Sequence, residues 1–72
     1  MGEFEEAVPQ LERAVTLNPS DPTINEHLGD AYWKVGRESE ARFQWRRAIS
    51  MDPESEQAVE IRDKMQRGLA QN

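Results

Sequence analysis

His27, the only histidine of this 72-residue chain, stands beside Glu26 and three residues before Asp30, so the first chemistry to weigh is an acid–base pair or a weak metal face on one helical turn. Neither goes far. Cysteine is absent and no serine has a base at helical spacing, so a nucleophile–base pair is missing. Glu26, His27 and Asp30 could chelate weakly, but a metal site wants three or four convergent ligands held by outer hydrogen bonds. A lone helical histidine among acids reads as a surface residue. No glycine-rich phosphate loop is present, because Gly29 and Gly36 fall at helix-packing and turn places. The remaining charged cluster is Arg37, Arg42, Arg46 and Arg47, with Glu38 four residues before Arg42. It reads as a solvated face, and the formal net charge of −5 argues against nonspecific nucleic-acid binding. No catalytic residue, cofactor or metal is expected.

The elements that carry these residues are helices. Phe4, Ala7, Val8, Leu11, Ala14 and Val15 recur at helical spacing and predict a first helix from about Glu3–Glu5 to Leu17, frayed or slightly bent at its start by Pro9. Asn18-Pro19-Ser20-Asp21-Pro22 ends it and opens a second, with Asp21 as N-cap and Pro22 in the first turn. Ile24, Leu28, Ala31, Tyr32 and Val35 mark the buried side of the second helix, which closes at Gly36. Gly29 costs about 1 kcal/mol of helix propensity relative to alanine and therefore predicts close approach of the following helix, with Ala41 and Ala48 as the flat facing surface. The third helix covers about Glu38 to Met51, with Ala41, Trp45, Ala48 and Ile49 inward, joined by Phe43 and Met51, and with Phe43 taking over packing from Arg42. Ser55 caps a fourth from about Glu56 to Gly68, along which lie Ala58, Val59, Ile61, Arg62, Met65 and Leu69.

A pattern returns after 34 residues: Gly2-Glu3-Phe4-Glu5-Glu6-Ala7 as Gly36-Arg37-Glu38-Ser39-Glu40-Ala41, Leu11 as Trp45, Ala14 as Ala48, Leu17 as Met51, and Pro19 as Pro53. Such a period marks stacked supersecondary units that bury their apolar faces only against neighbours. Leu28-Gly29-Asp30-Ala31-Tyr32, then Gly36, Ala41, Trp45, Ala48 and Pro53, resembles the tetratricopeptide repeat. Asn25 departs from that family's usual Trp and leaves less aromatic packing at the start of its helix. The resemblance implies an all-α antiparallel helix-turn-helix solenoid of about four helices in a single domain, 1–72. Residues 2–21 are then the second helix of a preceding repeat, 22–55 a full repeat and 56–70 a capping helix, whose Arg62-Asp63 stands where the repeat before it has Leu28-Gly29.

The resemblance also implies a concave groove for peptides or partner helices, and carries it to Thr23, Glu26, His27, Asp30, Trp33 and Lys34. Because Tyr32 belongs to the buried stripe, Trp33 is expected to point into the groove, either as a contact hot spot or lying over the stems of Lys34 or Arg37 or at a chain–chain junction. Repeats of this family that clamp acidic chaperone tails use Lys, Arg and Asn. Here Glu26 and Asp30 replace such residues, so acidic tails are not expected to bind, and a basic or aromatic-accepting partner fits better.

Composition bounds the rest. Seventy-two residues with 36% hydrophobic and 32% charged content suit a thin helical layer, and no apolar run is long enough for membrane insertion. No secretory signal pattern opens the chain, and localisation stays unassigned. The first helix lacks the partner that would precede it, leaving Phe4, Val8, Leu11 and Val15 as a self-association face. Either the chain ends a longer repeat array or two copies pair, and a homodimer is expected. The function expected is a non-catalytic scaffold or adaptor that binds protein. A purely structural terminal or self-association unit is the alternative, and an enzyme is a distant third.

Overall fold

The computed structural model describes residues 2–68 as four helices: α1 (Glu3–Leu17), α2 (Pro22–Lys34), α3 (Glu38–Met51) and α4 (Glu56–Arg67). Leu69, expected on the last helix, lies outside the described residues. The helix starts follow from local chemistry. At α2 the Asp21 carboxylate accepts from the backbone N–H groups of Thr23 (2.9 Å) and Ile24 (3.2 Å), with Pro22 in the first turn, where its missing N–H costs nothing. At α4 the Ser55 hydroxyl accepts from Ala58 N–H at 3.0 Å. At α1 the Glu5 carboxylate reaches back to accept from Gly2 N–H at 3.0 Å. The helix is continuous from Glu3 through Pro9, without the frayed start expected there. Gly36 ends α2 at φ +87°, and the N–H groups of Arg37 and Gly36 return to the carbonyls of Tyr32 (2.8 Å) and Trp33 (3.1 Å), so two otherwise unpaired helix-end acceptors are satisfied.

Consecutive helices pack on one another in chain order, α2 lying against both α1 and α3, and α4 against α3. The molecule measures 36 × 31 × 17 Å, so its least dimension admits no more than about two helix layers, each about 10 Å across. The core is correspondingly thin: Val8, Leu28, Ala31, Tyr32, Ala41, Trp45, Ala48 and Ile61.

Three packing details differ from the sequence reading. First, what needs Gly29 to be bare is the indole of Trp45. A Cβ on Gly29 would come within 2.4 Å of Trp45 Cδ1 and 2.5 Å of its Nε1, while Ala41 contributes only its carbonyl oxygen, at 3.1 Å. Second, Phe43 does not replace Arg42 in the core. It is half-exposed, whereas Arg42 turns inward, donates to the Met65 carbonyl (2.9 Å) and lies 5.3 Å over the Trp33 ring. Third, Asn25 is fully buried and does by hydrogen bonding what an aromatic would do by area. Its amide donates to the carbonyls of Pro19 (3.2 Å) and Asp21 (2.9 Å), and its oxygen accepts from Arg47 Nε (3.3 Å), tying the α1–α2 turn to α3.

Candidate functional site

The expected groove residues divide into two groups. Thr23, Glu26, Asp30 and Trp33 are engaged by α4 and α3. Lys64 of α4 donates to Glu26 Oε2 (2.5 Å) and Asp30 Oδ1 (2.8 Å), and Gln57 donates to Glu26 Oε1 (2.7 Å) and Thr23 Oγ1 (3.3 Å). Asp30 Oδ1 also accepts from the Trp45 indole N–H at 3.0 Å, so one carboxylate ties α2 to both later helices. Trp33 is not a free aromatic in the groove. Its ring stacks on Trp45 with centroids 5.5 Å apart, and the backbone of Gly68 lies so close that a Cβ there would fall 2.6 Å from Trp33 Cζ2. His27 and Lys34 remain exposed, and the Lys34 ammonium lies 5.8 Å from the centroid of the Phe4 ring.

These contacts set the local electrostatics. Burial works against the charged form of Glu26, but the hydrogen bonds from Lys64 and Gln57 outweigh it and hold the carboxyl below its ordinary pKa. Burial likewise opposes the Lys64 ammonium, and the bonds to Asp30 and Glu26 prevail and raise its pKa. On the other side of α2, burial and the hydrogen bond to Glu12 (2.5 Å) push the Tyr32 phenol up to about 12. The arginine cluster does not present a joint cationic surface. Arg42 and Arg47 are bound inward as described, and Arg37 forms a two-point pair with Glu40 (2.8 and 2.7 Å).

Among the open surfaces is a slot of about 260 Å³ between α1 and α2, lined by Phe4, Ala7, Leu11, His27, Asp30 and Ala31. Its origin is visible within the molecule. Ala7, Leu11 and Ala14 stand one 34-residue period before Ala41, Trp45 and Ala48. On α3 these positions are 0%, 0% and 3% exposed because α2 covers them, whereas on α1 all three are only half-buried. The slot is therefore the seat that α2 occupies on α3, repeated one unit earlier, and the described residues place no helix in it. Of the expected self-association face, Phe4 is 44% exposed and Leu11 lines the slot. Val8 is 5% exposed and belongs to the core, and Val15 packs against that core. The physical reason is the helix rotation, since α2 sits on the Val8–Glu12 side of α1 and leaves Ala7 and Ala14 only half-buried.

Lys64 and Gln57 are the contacts to the expected groove residues that residue-by-residue reading missed. The signal was present in the period: Lys64 follows Asp30 by 34 residues and Gln57 follows Thr23 by 34. In stacked repeats, equivalent positions of successive units are neighbours, so opposite charges one period apart predict an ion pair.

Helices joined by short turns, paired antiparallel and repeating with a fixed period define a helix-turn-helix repeat protein. Family models agree with this geometry: one described as a TPR repeat matches residues 1–36, and one described as a tetratricopeptide repeat matches residues 22–55. The chain belongs to the tetratricopeptide repeat family, whose repeats generally mediate protein–protein interaction. No curated protein and no solved structure matches it significantly. Among the described residues no helix is long and apolar enough to cross a membrane.

Proposed function

We propose that this chain is a non-catalytic protein-interaction module that receives an amphipathic helix of a protein partner in the slot between α1 and α2. The observation that carries the reading is the contrast between the two equivalent faces, the α3 face buried under α2 and the α1 face, with the same small-large-small pattern, only half-buried. Burying the Phe4, Ala7 and Leu11 surface supplies the affinity, at roughly 25 cal/mol per Å² of apolar area before the entropy of association is subtracted. The wider groove of Thr23, Glu26, Asp30 and Trp33 is a weaker candidate because α4 occupies it. In this reading α4 is the terminal cap of the full repeat, 22–55, and acidic chaperone-type tails find no clamp.

The surrogate ligand is a synthetic peptide of residues Pro22–Val35, since α2 already fills the equivalent seat on α3. Titrated into the isotope-labelled chain, it is expected to move the amide resonances of Ala7, Leu11 and His27 and leave those of Gln57 and Lys64 in place. Movement confined to Gln57, Lys64 and Trp33 would refute the slot and restore the α4-covered groove.

A second reading, a homodimer through α1, is favoured by two large apolar side chains at the two ends of that helix, Phe4 (44% exposed) and Leu17 (72% exposed). Sedimentation equilibrium decides between them. A mass of twice 8.3 kDa that is lost in the Phe4→Lys variant supports self-pairing, and a monomer across the concentration range removes it.

A further inference from the structure

The slot carries information about the chemistry of its occupant, because the molecule contains a worked copy of the same joint one period later. Where α4 meets α2, the long cationic side chain of Lys64 crosses to the two carboxylates Glu26 and Asp30. Moving back by 34 residues, α2 takes the part of α4, and Asp30 stands in the place of Lys64. The residues of an incoming helix that correspond to Glu26 and Asp30 would then face Asp30 itself. Acidic residues there meet like charge. A lysine or arginine meets a carboxylate that lines the slot, has a side chain 31% exposed, and keeps Oδ2 without a hydrogen bond among the described residues. Reach is complementary too, since the short aspartate is met by a long side chain from the incoming helix.

Two further places are specified in the same way. Gly29 lies under Trp45, and one period earlier Leu11 replaces that indole, so the incoming helix needs a small residue at the Gly29 position to approach Leu11 closely. Trp33 lies against Gly68, and one period earlier Lys34 stands at the place of Gly68. An aromatic at the Trp33 position of the incoming helix would meet that ammonium, already 5.8 Å from the centre of the Phe4 ring, in a cation–π contact.

We infer that the partner is a basic amphipathic helix, antiparallel to α1, with the order basic, two residues, small, basic, two residues, aromatic. The inference rests on the slot reading above and adds the charge and order of the ligand. It also accords with the local charge balance, in which Glu26 and Asp30 share the single ammonium of Lys64. The chain as a whole is acidic, with net charge −5, which favours encounter with a cationic helix.

The test compares two labelled peptides on the intact 72-residue chain at low salt: Pro22–Val35 unaltered, and the same peptide carrying Glu26→Lys and Asp30→Lys. Replacing two like-charge contacts with Asp30 by two attractive ones at a partly buried site predicts roughly tenfold tighter binding of the lysine peptide, with the advantage shrinking as salt rises. Shifts are expected at Ala7, Leu11, His27 and Ala31, and are lost in Phe4→Lys and Ala7→Arg chains whose helical circular dichroism is unchanged. If Ala7→Arg disturbs the fold, Phe4→Lys, which alters a half-exposed rim residue, carries the control. Equal or weaker binding of the lysine peptide with the same slot shifts would overturn the basic-helix inference and leave the slot reading standing. Absence of slot shifts with either peptide, in a chain shown to be monomeric, would overturn both. A mass that doubles with concentration, accompanied by slot shifts on self-association, would make a second copy the occupant and overturn the inference.

Discussion

Replacing Gly29 by alanine sets two effects of known sign against each other. In an exposed helix interior the change would stabilise by about 1 kcal/mol, through propensity alone. At this position the added methyl would sit 2.4 and 2.5 Å from two atoms of the Trp45 ring, well inside van der Waals contact. The ring cannot step aside at low cost: Trp45 is 0% exposed, stacks on Trp33 at 5.5 Å and donates its N–H to Asp30 at 3.0 Å. Overpacking of this kind costs about 1–3 kcal/mol, and loosening the indole hydrogen bond adds about 0.5–1.5 kcal/mol. Clash exceeds propensity, and the net expectation is a loss of about 1–3 kcal/mol, or a fall in Tm on the order of 10 °C for a domain of this size. Urea unfolding followed by circular dichroism at 222 nm and by tryptophan fluorescence reads the change directly. In a Trp45→Phe background, which removes the indole nitrogen side of the ring, the penalty should shrink or reverse. A Gly29→Ala chain as stable as the parent or more so, with Trp45 still present, would refute the close-approach argument.

Two pH-dependent predictions follow from the ion pairs and the single tyrosine. Glu26 has a folded-state pKa below its ordinary 4.5, so its contribution is complete above that value and is lost as pH falls through the depressed one; the raised Lys64 contributes fully below 10.5 and loses its share as pH rises beyond it. Thermal melts should therefore show an acid limb below about pH 4.5 that is shallower in Glu26→Gln, and an identical limb in both chains would remove Glu26 from the account. The Tyr32 phenol, pushed up to about 12 from 10.0, stabilises below 10.0 and loses that contribution as pH climbs through the raised value. Ultraviolet titration of the only tyrosine should give a midpoint well above 10.0 that falls in Glu12→Gln, and an unshifted midpoint in that variant would discount the Glu12 hydrogen bond as a cause.

The sequence by itself determined what depends on neighbours within a few residues. Asp21-Pro22 and Ser55 start helices because a side-chain oxygen two or three residues upstream meets backbone donors left unpaired by helix geometry, and Gly36 ends one because its φ of +87° carries no Cβ penalty. The 34-residue period likewise identified the repeat before any contact was seen, since periodicity is a property of the string. It also singled out Gly29 as the place where the following helix comes close and named Ala41 there but not Trp45, because a glycine reports that something comes close and not which side chain it is. Only the tertiary structure decided that Trp45 is that partner, that Trp33 stacks instead of standing free, that Arg42 turns inward while Phe43 stays half-exposed, and that Val8 is core while Ala7 borders the slot. Each depends on the rotation of one helix about its axis relative to a neighbour. A side chain moves about 100° around that axis per residue, so assigning it to core, slot or solvent requires the positions of two helices at once.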